Sequence, residues 1–218
     1  MSGIKTTNVT DAKWDEMKFS TPRTNTGKRF IKVFYEKNPL VLRLPKLKIP
    51  FDSQLSQYGQ LEMNVSLGSN EKVITALKEM DDQMMTFVDT QGWYNKDDEK
   101  TYFPSLRESK NGDYPPTFKI KIPKRDGVID ADFFDKDKKK IKVNNDSDVL
   151  SLLKKNTHVI SAIECTGVWF MGDRYGLSWK VVQMRVYEPE PQSDDTIEGY
   201  SFQDSSDDEE IEECLIYD

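Results

Sequence analysis

A chain of 218 residues, 36% hydrophobic and 32% charged, can bury one core of ordinary size and carry an appendage besides. Its longest apolar stretches, such as Gly167-Val168-Trp169-Phe170-Met171, are far too short to span a bilayer, and Met1 to Lys5 lack the apolar run of a signal peptide, so a soluble intracellular protein is expected. The net charge of −7 argues against nucleic acid until it is divided: residues 188–218 hold 13 Asp and Glu and no Lys or Arg, which leaves 25 acids against 31 bases in residues 1–187, a balance of +6.

Three segments are expected: an N-terminal arm (1–27), a body (28–187) and a disordered acidic C-terminal tail (188–218). The arm is polar, with Trp14, Met17 and Phe19 as its anchors on the body. "KRFIKVFY" (Lys28–Tyr35) alternates as a strand does, and "NPLVLRLPKLKIPF" is extended but confined by Pro45 and Pro50 to an edge or a pair of short strands. Leu61, Met63, Val65 and Leu67 share one strand face. A helix starts at Ser69 or Asn70, carries Val73, Ile74, Leu77, Met80, Met84, Phe87 and Val88 on one stripe, and ends near Gly92. Residues 91–116 read as a long aromatic loop. In "TFKIKIP", Phe118, Ile120 and Ile122 point inward and Lys119 and Lys121 outward. A hairpin turning at Asp135 to Lys138 follows, then a short helix capped by Asp146 or Ser147, then two long strands, His158–Met171 and Tyr175–Tyr187. The economical fold is mainly β: an antiparallel barrel, of which the OB-fold is one kind, with one main helix packed on it.

Catalytic chemistry finds little support. No phosphate-cradling Gly-rich loop is present, and His158, the sole histidine, opens a strand, where a structural role is the simpler reading. Asp130, Asp132, Asp135 and Asp137 lack the Gly and the distal Glu of a calcium loop, so a solvated hairpin explains them. Cys165 and Cys214 suggest neither a disulfide nor a zinc site. No catalytic residue, metal or cofactor is expected, and the chain is read as a non-enzyme.

What remains is a mixture of cations and aromatic rings, the combination that grips single-stranded nucleic acid through phosphates and stacked bases. The candidates are Lys28, Arg29, Lys32, Arg43, Lys46, Lys48, Trp93, Tyr94, Tyr102, Arg107, Lys119, Lys121, Trp169, Trp179 and Lys180. Trp179 shares a strand face with Gln183, Arg185 and Tyr187, which makes it either a stacking platform or the core anchor of the barrel. The tail ends "DSSDDEEIEECLIYD". Its carboxylates, among them Asp207, Asp208, Glu209, Glu210, Glu212 and Glu213, mimic a nucleic-acid backbone, and Leu215, Ile216 and Tyr217 supply an apolar docking tip for a basic partner surface. A rival reading is an acidic-tailed chaperone of basic, histone-like proteins.

"YPPTFKIKIP" (Tyr114–Pro123) and "GVWFMGDRYGLSWKVVQMRVYEP" (Gly167–Pro189), followed by an acidic end, resemble the T7-type single-stranded DNA-binding proteins, in the version carried by giant (nucleocytoplasmic large) DNA viruses. The resemblance covers the second half of the body and the tail; the first ninety residues match in general layout. It implies an OB-fold core with a helix, a homodimer, and a setting in DNA replication, recombination and repair, at replication sites of a host cell if the chain is viral. It also implies that the tail binds the replicative polymerase and helicase-primase and competes with single-stranded DNA for the groove. By position, Lys119 and Lys121 match the basic strand of that family, and Trp169, Trp179 and Lys180 lie in its closing hairpin. The phage proteins end on an aromatic, whereas here Tyr217 is penultimate and Asp218 last.

Overall fold

The computed structural model describes residues 5–25, 28–91 and 101–188, with the backbone alone at residues 24, 25, 28 and 29. The elements that matter here are β1 (Lys28–Ile31), β2 (Val33–Tyr35), β3 (Val41–Arg43), β4 (Leu47–Lys48), β5 (Leu61–Ser66), α1 (Glu71–Gln91), β6 (Thr101–Phe103), β7 (Leu106–Arg107), β8 (Thr117–Lys121), β9 (Asp132–Phe134), β10 (Lys140–Ile141), α2 (Asp146–Leu152), β11 (His158–Met171) and β12 (Arg174–Tyr187).

Hydrogen-bonded pairing closes a ring: β11 to β4, β4 to β5, β5 to β8, β8 to β12, and β12 back to β11. The β8–β12 contact is parallel, joined at Lys121 and Lys180, while the other four are antiparallel. With β3 and β4 taken as one interrupted strand, the ring runs first, second, third, fifth, fourth and back to the first in chain order. That is the five-stranded Greek-key barrel of the OB type. The interruption has a local cause. Pro45 has no N–H to give, yet Leu44 and Ile49 on either side donate theirs to Ser161 and Thr157 at 2.9 and 2.8 Å, so both short pieces follow β11.

Strand alternation builds the core. Leu61, Met63, Val65 and Leu67 from β5 and Phe118, Ile120 and Ile122 from β8 are buried in the barrel, as their period-two spacing predicts. β12 departs from simple alternation. Ala162 stands opposite Gln183 but Ile163 stands opposite Val181, so Val182 is an extra residue and the inward phase switches there. Leu177, Trp179 and Val181 point inward before the bulge, and Met184 and Val186 after it. β11 switches in the same way where Cys165 opposes Trp179 and Gly167 opposes Ser178. At Gly167 (φ +139°) a Cβ would sit 2.3 Å from the carbonyl oxygen of Ile31, so close approach of β1 requires a glycine there.

α1 is inserted between β5 and the β6–β8 region. Asn70 caps it, its Oδ1 accepting from the Val73 N–H at 3.3 Å. The buried stripe is Val73, Ala76, Leu77, Met80, Asp81, Met84 and Val88. Trp14 and Met17 are buried as well, and Phe19 stacks on Phe87 with ring centroids 3.9 Å apart. Two expectations change. The region 101–107 forms two short strands rather than loop, β6 pairing with β12 and β7 with β8. The cap of α2 is Asn145 rather than Asp146 or Ser147, in a reciprocal box with Asp148. The hairpin β9–β10 turns where expected, with Asp135 Oδ1 accepting the Asp137 and Lys139 N–H groups at 2.9 and 2.8 Å. Among the described residues no helix is long and apolar enough to cross a membrane. The acidic tail lies outside the described residues from Pro189 onward.

Candidate nucleic-acid interface

Outward positions on the second and third barrel strands form a continuous cationic face. Register sets its rows. Lys48 of β4 stands opposite Ser66 of β5, Ser66 opposite Thr117 of β8, and Thr117 opposite Arg107 of β7. Asn64 stands opposite Lys119 in the next row. Glu62, Lys121, Lys180 and Glu164 follow in the row after that. Sheet pairing thus gathers Lys48, Arg107, Lys119, Lys121 and Lys180, which are scattered along the sequence, onto one face.

These five cations are not equivalent. Lys119 forms an ion pair with Glu62, whose carboxylate is almost wholly buried, and Lys180 pairs with Glu164 at 3.2 Å. Lys121 donates to Ser178 Oγ at 3.1 Å; burial pushes its pKa below the usual lysine range, with Glu62 partly offsetting the loss. Lys48 and Arg107 are exposed and engage no carboxylate among the described residues. The Arg107 guanidinium lies over the Phe103 ring, 5.1 Å from its centroid. Lys48 and Arg107 are therefore the charges this face offers to an anion with no carboxylate partner among the described residues, whereas Lys121 shares the field of Glu62.

The segments flanking these strands carry exposed rings. The loop joining β4 to β5 carries Phe51, 61% exposed, and Tyr58, 84% exposed, and its Gln54–Leu55 segment pairs with the start of β5. Tyr114 precedes β8 and is 73% exposed, and Phe103 shows one side to solvent. Phe51, Tyr58, Phe103 and Tyr114 are exposed rings absent from the candidates read from the sequence. The available signal was the aperiodic apolar scatter of "PFDSQLSQYGQ" between Pro50 and Gly59, which no strand or helix face can bury.

The remaining candidates sort differently. Trp179 is core, 3% exposed: the bulge at Val182 puts it on the face opposite to Gln183, Arg185 and Tyr187. There it packs on Phe118 and donates its indole N–H to Ser105 Oγ at 3.3 Å. Tyr102 is half-buried, and its hydroxyl donates to Asp81 Oδ1 at 2.5 Å. Asp81 Oδ2 accepts the Ser105 N–H at 3.0 Å; burial raises the Asp81 pKa above the ordinary carboxylate value while these donors hold it down. Trp169 is half-buried, its indole N–H bonded to the Leu177 carbonyl at 3.2 Å and its ring tilted against Phe103. Arg43 and Lys46 belong to a different stretch of barrel wall. Arg43 is register-matched to Ala162, and Lys46 lies over the Tyr187 ring, 4.4 Å from its centroid. Lys32 is exposed between β1 and β2, its backbone tied to Ser20. Lys28 and Arg29 lie in β1, but their side chains fall outside the described residues, as do Trp93, Tyr94 and the tail carboxylates and tip. Burial pushes the Cys165 thiol up to about 12, so it remains a protonated core group at neutral pH.

The sequence matches no family model and no curated protein. Solved structures of similar shape include the single-stranded DNA-binding protein from bacteriophage Enc34, at 10% identity and a TM-score of 0.49, covering 88% of this chain and 99% of that one. They also include gp2.5, a single-stranded DNA-binding protein of bacteriophage T7, at 11% identity and 0.49, covering 83% and 99%. The Enc34 protein in complex with single-stranded DNA aligns at 7% identity and 0.46, covering 75% and 92%.

Proposed function

We propose that this chain is a non-enzymatic, sequence-tolerant single-stranded DNA-binding protein that uses the outer face of β5 and β8, with the β4–β5 loop, as its contact surface. The observation that carries this reading is the coincidence, on these strands and the segments flanking them, of Lys48 and Arg107, neither with a carboxylate partner among the described residues, and of exposed Phe51, Tyr58, Phe103 and Tyr114. Cations placed this way neutralise phosphates, and each stacked ring adds about 1–3 kcal/mol per base without reading its identity. In an OB barrel this face and the loop between the first two strands are where oligonucleotides bind. Neither helix suits groove reading in duplex DNA: α2 is too short, and α1 keeps its apolar stripe in the core. We further propose that the protein serves replication, recombination and repair, and that its tail recruits polymerase and helicase-primase.

Titration of the full chain with oligo-dT across a salt series, with duplex as competitor, tests the binding reading. Oligo-dT should win, with a log–log salt slope of about −0.7 per neutralised phosphate. Lys48→Ala with Arg107→Ala should weaken binding about tenfold and flatten the slope by roughly the two lost contacts, with little change in melting temperature. Equal affinity for duplex and oligo-dT would sink the proposal. Lys119→Ala is a poor probe, because it strands the buried Glu62 carboxylate and costs stability for reasons unrelated to DNA.

A further inference from the structure

A second cationic concavity lies on the barrel wall formed by β3, β11, β12 and β9. Arg43 stands opposite Ala162, Ala162 opposite Gln183, and Gln183 opposite Asp132. The neighbouring outward row is Ile160, Arg185 and Phe134. Together with Thr6 and Lys138 of the hairpin turn, these rows line an open cavity of about 370 Å³. Three cations line it, and none of Arg43, Lys138 or Arg185 engages a carboxylate among the described residues. Two carboxylates of the β9–β10 hairpin are committed elsewhere. Asp132 is held by Lys140 at 2.6 Å, and Asp135 is occupied by the backbone of its own turn. Arg185 has one weak contact, to the Tyr187 hydroxyl at 3.5 Å, which leaves its planar fork available.

This cavity is separate from the DNA-binding face proposed above. At the next outward positions along β11 and β12 stands the Glu164–Lys180 ion pair, which places a carboxylate between the cavity and Lys121. A phosphodiester strand crossing from one to the other would pass that negative charge. Three cations lining one depression also exceed what a single phosphodiester charge requires. They suit a terminal phosphate, which carries about −1.5 to −2 charges and three acceptor oxygens. The volume falls within the roughly 300–1,000 Å³ of small-molecule sites, the half-buried Phe134 ring offers an aromatic wall, and the Gln183 amide offers one donor and one acceptor to a base edge.

We propose that the Arg43–Lys138–Arg185 cavity is a nucleotide site that holds a terminal phosphate, on a free nucleotide or on the end of a strand. The test follows the backbone amides of Ala162, Gln183 and Arg185 by NMR in the full chain. Titration with dTMP should shift these amides, and thymidine, which lacks the phosphate, should not. Arg43→Gln with Arg185→Gln should weaken dTMP binding by about tenfold or more, and Lys138→Ala, on an exposed turn, by a smaller factor. Oligo-dT bearing a 5′-phosphate, compared with the 5′-hydroxyl form, separates the two sources. A preference of about fivefold that vanishes in the double variant assigns the site to strand ends, whereas dTMP binding without that preference assigns it to free nucleotides. Binding of the 5′-hydroxyl oligomer reports the β5–β8 face, so its loss counts against that reading and not this one. Shifts of equal size with thymidine, no response to either phosphorylated probe, or dTMP binding unchanged in both variants would overturn the proposal.

Discussion

A tryptophan 3% exposed and packed on Phe118 presents no ring face to a base. Trp179 should therefore emit as a core residue: the difference spectrum between the wild type and Trp179→Phe should be blue-shifted and unaltered by oligo-dT. Trp179→Ala should cost about 3–5 kcal/mol in urea unfolding, because it opens a cavity against Phe118. Quenching of that difference spectrum by DNA would return Trp179 to the surface. The polar group beside it, Asp81, follows a pH rule of its own. Its folded pKa is raised above the usual 3.8, so its contribution to stability is fully present below that value and is lost as pH rises through the folded pKa. Tyr102→Phe removes a donor that holds this pKa down. It should move the Asp81 titration, followed by its carboxyl ¹³C shift, to still higher pH, and cost about 1–3 kcal/mol of stability at neutral pH. A titration that stays put or moves down would show that the Tyr102 bond contributes nothing. The outward placement of Lys119 and Lys121 could be read from the chain because period-two alternation is a local property of eight residues. The fates of Tyr102 and Trp179 could not, since their partners Asp81 and Ser105 lie 21 and 74 residues away in sequence.

At the scale of elements, β12 shows why strands could be located from sequence while their faces could not all be assigned. Its hydrophobic residues satisfy alternation from Leu177 to Val181 and again from Met184 to Val186, but the two runs are out of phase by one residue. A single unbroken phase puts Trp179 beside Gln183, Arg185 and Tyr187; the extra residue at Val182 puts it opposite them. Deleting Val182 should force Gln183 and Arg185 into the core or break the pairing with β11, and so abolish cooperative thermal unfolding. Val182→Ala keeps the residue count and should preserve cooperativity at a modestly lower melting temperature. If the deletion unfolds as cooperatively as the substitution, the bulge is not what sets the phase. Helix α1 was readable for the opposite reason: its stripe recurs from Val73 to Val88 in a helix of 21 residues with an Asn cap before it, a signal no neighbouring element can mimic. β6 and β7 were missed because two- and three-residue strands carry no period, and their pairing partners β12 and β8 lie elsewhere in the chain.

For the whole molecule the governing quantity is the charge division between a +6 stretch of residues 1–187 and the 13 carboxylates of residues 188–218 on the same chain. A charged segment carried on the same chain meets the rest of it at an effective concentration that does not depend on protein concentration. If the tail competes with incoming phosphates, as the charge division suggests, the competition should be screened beyond about 10 Å at 0.1 M salt. Deleting residues 188–218 should tighten oligo-dT binding most in dilute salt, with the gain shrinking as ionic strength rises and the salt slope becoming steeper. Replacing Leu215, Ile216 and Tyr217 by Ser leaves all 13 carboxylates in place. That variant should bind oligo-dT like the full chain while losing its grip on polymerase or helicase-primase in a pull-down at the same salt. The two halves of the prediction fail separately. A truncated chain that binds oligo-dT no more tightly at low salt removes the competitor role, because the charge division would then have no intramolecular consequence. Undiminished enzyme capture by the triple-serine variant removes the docking role from the apolar tip and leaves recruitment to the carboxylates alone.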